Sequence, residues 1–282
     1  MPRTRAFGVS TSLFHGQRLG RDQLREIGAA QFTVLQLAAT RTHFDYHNQH
    51  AIADLQQWMA EAGLILASVH APISERFTAN RHEHPLWLAS ADADLRTRAL
   101  DETLRALHIA RRIPFQTLVV HIGSPRQAEE AGRSSRDGAR RSLEALRQAA
   151  EPLGVRVAVE IQQNDLSEPG SLVHFLEEVL DAADVGICFD CGHAHITGDV
   201  IDAIEVVSEH LATVELHDNR GRGDDHLVPF EGTIDWPGAM TTLQKVGYDG
   251  PLLFELNGRG NTADILRRAR QARQQIERLL AD

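Results

Sequence analysis

Lysine occurs once in the 282 residues, at Lys245, and cysteine twice, at Cys188 and Cys191. Each shortage closes a route. A Schiff-base aldolase needs a lysine inside its active site, and Lys245 ends a helical stretch away from any candidate site. The two cysteines make a single C-x-x-C, whereas a structural zinc would want a second pair, and the strand and helix context of a thioredoxin-like redox motif is missing. No uninterrupted apolar segment reaches membrane-spanning length, and the start, "MPRTRAFGVSTSLF", has no apolar region suited to secretion. A cytoplasmic protein without membrane contacts is expected. Positive charge is also scarce: 29 Lys and Arg stand against 39 Asp and Glu, a net charge of −10. Such a surface repels phosphate backbones at long range and argues against a general nucleic-acid binder.

What is present is a regular alternation. The chain is 42% hydrophobic and 24% charged, a globular composition. Eight β-rich runs, "AFGVS", "FTVLQLA", "LILASVH", "TLVVHIG", "VRVAVEI", "VGICFD", "ATVELH" and "PLLFELN", are separated by stretches with helical apolar spacing. Ala139, Leu143, Leu146, Ala150 and Leu153 form one stripe; Ile265, Leu266, Ala269, Ala272, Ile276 and Leu279 form another. Gly63 and Gly154 stand where left-handed caps should end helices before strands. The alternation predicts one α/β domain over residues 1–282, a single (β/α)8 TIM barrel. A doubly wound open sheet is the alternative, though no G-x-G-x-x-G follows the first strand.

Reactive side chains in such barrels sit at the C-terminal ends of the strands. Six successive strands finish in a potential metal ligand: His70, His121, Glu160, Asp190, Glu215 with His217, and Glu255. Alternation in "VRVAVEI" turns Val155, Val157, Val159 and Ile161 towards outer helices and aims Ala158 and Glu160 into the barrel. By the same parity Cys188 is a small core filler beneath Asp190. Several buried carboxylates at one end are costly without a cation, so a bound divalent metal is expected.

The segments "SVHAP", "VVHIG", "VEIQ", "FDCGH", "HDN", "DDHLVPFEGTIDW" and "FELN" together resemble the xylose isomerase-like TIM barrel superfamily, which includes sugar isomerases and epimerases and the apurinic-site endonuclease IV. The resemblance implies that Glu160, Asp190, a ligand from strand seven and Glu255 hold a central metal. It likens His70 and His121 to ligands of a second metal, and His193, Asp224 and His226 to ligands of a third. The family usually carries a histidine three residues before the Asp of "HDN", where this chain has Glu215. Glu215 is therefore expected as the strand-seven ligand, with His217 on the same face as the alternative. Four carboxylates favour Mn²⁺, with Mg²⁺, Co²⁺ and Zn²⁺ as the other candidates.

Two functions follow. In a sugar or keto-inositol isomerase or epimerase, Glu160 and Glu255 move a proton next to a carbonyl, His193 binds a substrate hydroxyl, and Arg220 or Arg222 holds the far end. In an endonuclease IV-like phosphodiesterase, two or three metals generate hydroxide. The acidic charge favours the first reading, with a small sugar or polyol as partner and no nucleic acid. The loop "APISERFTANRHEHP" reads as a lid, offering only Arg76 and Phe77 for DNA contacts. His43 and His47 are candidates to line the mouth, and "NGRGN" reads as a turn and N-cap before the last helix. The sequence carries no signal for subunit number.

Overall fold

A computed structural model describes residues 5–79, 81–123 and 134–281. In chain order the strands are β1 (Phe7–Ser10), β2 (Val34–Ala38), β3 (Ile65–His70), β4 (Ser74–Thr78), β5 (Arg81–Pro85), β6 (Thr117–Val120), β7 (Arg156–Glu160), β8 (Gly186–Asp190), β9 (Leu211–Leu216) and β10 (Leu252–Phe254). Eight of them close into one parallel barrel in the order β1-β10-β9-β8-β7-β6-β3-β2. The described helices are α1 (Arg21–Ala29), α2 (Gln49–Ala62), α3 (Ala93–Leu107), α4 (Arg136–Ala150), α5 (Pro169–His174), α6 (Cys191–Thr197), α7 (Val200–Val207), α8 (Trp236–Lys245) and α9 (Thr262–Leu279). None is long and apolar enough to cross a membrane.

Side-chain parity separates two apolar layers. Val157, Val159 and Ile161 join the main core between barrel and helices, which α4 and α9 complete with Leu143, Leu146, Leu266 and Ile276. Inside the barrel the fillers are small: Val119, Ala158 and Cys188 form one cluster, and Val34, Ala67 and Leu253 another. Gly8 belongs to this tight floor, since a Cβ there would lie 2.6 Å from Val34 Cγ2. A register shift between β2 and β3 pairs Leu35 with Leu66 but Gln36 with Ser68, so Ala67 is the extra residue and reaches the interior cluster.

Local chemistry sets the element ends. Asn48, Asp92, Ser135, Asp235 and Asn261 cap helices with side-chain oxygens, and Gly63 and Gly154 end helical segments at φ 69° and 68°. The segment expected as a plain lid loop is instead an antiparallel hairpin, β4 paired with β5. Thr42 fastens it: its Oγ1 accepts from Phe77 N at 2.9 Å and donates to Phe77 O at 3.2 Å.

Candidate metal and substrate site at the barrel mouth

Glu160, the last residue of β7, is 1% exposed at the centre of the mouth. His70 Nε2 and His121 Nε2 each lie 2.9 Å from its Oε2, and His193 Nδ1 lies 3.1 Å from its Oε1. Burial alone would raise its carboxyl, but His121, His193 and His70 hold it well below the usual range. Gln162 Nε2 sits 3.0 Å from His121 Nδ1 and fixes that ring.

Asp190 ends β8 and caps α6, its Oδ1 accepting from His193 N at 2.7 Å. His217 Nε2 lies 2.8 Å from the same oxygen, while Asp190 Oδ2 is buried with no partner. Glu215 is the register neighbour of Asp190 on β9 and is fully buried. Its Oε1 accepts from Gln36 Nε2, and its Oε2 has no partner. Burial first, then the charges of Glu160 and Glu255, push the Glu215 carboxyl well above its ordinary value. Burial, reinforced by Glu215, Glu160 and Asp190, likewise keeps the Cys188 thiol protonated. Cys188 and Cys191 are both buried and unbridged.

Beside this lies a histidine cluster. His226 stacks on His217 with ring centroids 3.9 Å apart, and Asp224 Oδ2 sits 3.1 Å from His226 Nε2 and 3.4 Å from His193 Nε2. Against burial, Asp224, Glu255 and Asp190 hold His226 up at about 10. The loop carrying Asp224 and His226 is pinned from below. Asp218 accepts from Trp236 Nε1 at 2.8 Å, Phe230 N at 2.9 Å and Ile234 N at 3.2 Å, while Asn219 Nδ2 donates to Gly192 O at 2.8 Å. Gly192 is obligatory, because a Cβ there would collide with the His217 ring. His226 itself has φ 47°, a left-handed backbone held by this scaffold.

The expected ligands therefore come together in adjoining groups, each with donor atoms within 4.8 Å of one another: Asp190, Glu215 and Glu255; His70, His121 and Glu160; Glu160, Asp190 and His193; and His193, His217, Asp224 and His226. Glu215 and His217 both face the centre, in different groups. A divalent cation fits this donor set: carboxylates from consecutive strands converge, and Asp190 Oδ2 and Glu215 Oε2 are buried without a hydrogen-bond partner among the described residues.

A cavity of about 1140 Å³ opens above the cluster. Glu160, His193, Asp224, His226 and Glu255 form one side, and Phe14, His15, Phe77, His82 and Trp87 the other. Arg220 and Arg222 are exposed and do not line it; Arg220 faces Asp225 at 4.0 Å instead. Among the described residues the arginine on the cavity wall is Arg259, from the "NGRGN" turn, in which Asn261 is the helix cap. His43 is buried with Nδ1 2.8 Å from Gln17 O, and His47 pairs with Glu102 at 3.0 Å, so neither reaches the cavity. His15, stacked on Phe77 at 4.4 Å, and His82, 2.8 Å from Ser74 Oγ, are wall residues that sequence reading missed. Neither carries a periodic signal in the sequence.

Comparison with known proteins agrees with this architecture. An uncharacterized protein of Methanocaldococcus jannaschii, MJ1311, is 26% identical over 259 residues, covering 88% of this chain and 83% of its own. An inosose isomerase of Bacillus licheniformis is 25% identical over 127 residues, 40% of this chain and 44% of its own. The crystal structure of a D-tagatose 3-epimerase-like protein superposes with a TM-score of 0.80 at 23% identity, covering 98% of each chain. Residues 22–281 match the profile described as Xylose isomerase-like TIM barrel, and the chain belongs to that family.

Proposed function

We propose that this protein is a divalent-metal-dependent isomerase or epimerase of a sugar or keto-inositol, working by proton transfer next to a carbonyl. One observation carries the reading. Glu160 and Glu255, from β7 and from just beyond β10, both line one cavity and each share a donor group with Asp190, whose buried Oδ2, like Glu215 Oε2, calls for a cation. The likeness to an inosose isomerase and to an epimerase-like structure supports the same class. Asp190, Glu215, Glu160 and Glu255 would hold the cation, with Mn²⁺ favoured by an all-oxygen set. When bound, it lowers the acidity barrier of the C–H bond beside a coordinated carbonyl.

The chain's own groups do the rest. One glutamate takes the proton from carbon as the C–H electron pair moves towards the carbonyl oxygen, and the other returns a proton to carbon. His193 is 8% exposed on the cavity wall and fits a substrate hydroxyl. Among the described residues Arg259 is the one arginine or lysine on the wall; Glu160, Asp224 and Glu255 face the cavity too, and the raised histidines beside them are engaged in pairing with those carboxylates. That balance favours an uncharged, unphosphorylated substrate.

The adjoining histidine groups favour a second reading, a multi-metal phosphodiesterase of the endonuclease IV kind. Metal content of the purified protein, measured beside cleavage of an abasic-site oligonucleotide and deuterium uptake by a keto-sugar panel, separates the two. One ion with uptake supports the isomerase; three ions with cleavage and no uptake would replace it.

A further inference from the structure

β2 reads Val-Leu-Gln-Leu-Ala, and all five residues are buried. A primary amide in the middle of such a run is costly unless it is partnered. Gln36 is 0% exposed, and its Nε2 donates to Glu215 Oε1. The strands involved are not neighbours: β1 and β10 lie between β2 and β9, so the bond crosses the barrel interior. It engages one oxygen of the carboxylate and leaves Oε2 without a partner, while Glu215 shares a donor group with Asp190 and Glu255.

We propose that Gln36 is a positioning residue for the cation: by holding Oε1 from across the barrel it fixes Glu215 in the orientation that presents Oε2 to the shared centre. The inference rests on the reading of the mouth as a metal site. A carboxylate on a flexible stem has rotamer freedom to lose on binding an ion, and a donor that restricts it beforehand removes part of that cost. The alternative neighbours cannot serve. Cys188 and Glu160 also lie within 4.8 Å of Glu215, but one is a weak donor and the other repels it. Gln36 therefore acts through Glu215, and through an all-oxygen set it favours a hard ion such as Mn²⁺ relative to Zn²⁺.

The test is titration of Mn²⁺ and of Zn²⁺ into metal-stripped full-length protein, by calorimetry and by the electron paramagnetic resonance of bound Mn²⁺. Gln36→Met keeps the volume and removes the donor. It should weaken Mn²⁺ binding by about 10- to 100-fold, the range seen when partners of metal ligands are removed, and weaken Zn²⁺ less. In a Glu215→Gln background the same change should have little further effect, because the two residues act as one unit. Near-ultraviolet dichroism of the metal-free variants checks the fold. Unchanged Mn²⁺ affinity in Gln36→Met would overturn the role of Gln36. Should that variant not fold, wild-type affinity and line shape in Glu215→Gln would overturn it equally, since Glu215 would then be no ligand. Wild-type protein that takes up neither ion would instead overturn the metal reading on which the inference rests.

Discussion

The two sides of the barrel mouth are built by different means. The side over β7 to β10 is made of residues at strand ends, Glu160, Asp190, Glu215 and Glu255, whose direction follows from pleat and register. The side over β1 to β3 is made of loop and hairpin residues, His15, Phe77, His82 and Trp87, brought together by a ring stack and by Thr42. The proposed chemistry thus falls to the part the barrel holds most tightly, and the wall facing it is carried by parts that long-range contacts assemble. A rigid scaffold with adaptable loops is how one barrel serves many substrates.

The largest effects should come from the strand-end side. Asp190→Asn keeps the α6 cap oxygen but removes charge from the cluster; turnover should fall by 10²-fold or more, as expected for loss of metal or of a proton-transfer group, and metal content should fall with it. An assay of both quantities on one preparation checks this. Next comes the scaffold beneath the histidine cluster. Asp218→Ala removes the acceptor of the Trp236 indole N–H and of the backbone N–H groups of Asn219, Phe230 and Ile234, and should cost about 1–3 kcal/mol or more in urea unfolding. Wild-type stability in that variant would mean that the loop is held by something else.

The wall side should respond to acid rather than to metal. Burial, then His43, His82 and His70, pushes His15 down to about 3, and burial pushes His43 down to about 4. Both stay neutral in the fold, while an unfolded imidazole takes a proton near pH 6.5. Stability is therefore unaffected above about pH 6.5 and declines as pH falls from there towards about 4, by up to about 1.4 kcal/mol per unit per histidine. His15→Phe keeps a ring against Phe77 and should flatten that acid limb in thermal melts between pH 7 and 4.5; an unchanged limb would show that His15 already titrates freely. The smallest effect is expected at Arg220 and Arg222. Both are exposed and off the cavity, and alanine at either should change turnover less than about twofold, within the range of ordinary surface substitutions.

The contrast explains what could be read from the sequence. Strand number, barrel closure and the inward strand-end carboxylates follow from local alternation, which is why Glu160 and Asp190 are legible from "VRVAVEI" and "VGICFD". Arg220 and Arg222, expected at the far end of a substrate, sit in the "NRGRGDD" loop, where a side chain's direction is not set by parity. Arg259 and His15 reached the cavity without any periodic signal. A lone amide in the apolar strand β2 implies a partner, but that partner, Glu215, is set by the barrel bringing β2 and β9 together across its interior.

The central claim is that Glu160 and Glu255 move a proton at carbon. Its most direct test is mass-spectrometric deuterium uptake from D₂O, with Mn²⁺ present, into a panel of unphosphorylated ketoses and keto-inositols, comparing wild type with Glu160→Gln and Glu255→Gln. At least one panel member should gain one deuterium with wild-type protein, and uptake should fall by about 10² or more in each variant whose metal content is retained. Uptake that persists at the wild-type rate in both metal-loaded variants would contradict the assignment of these two carboxylates.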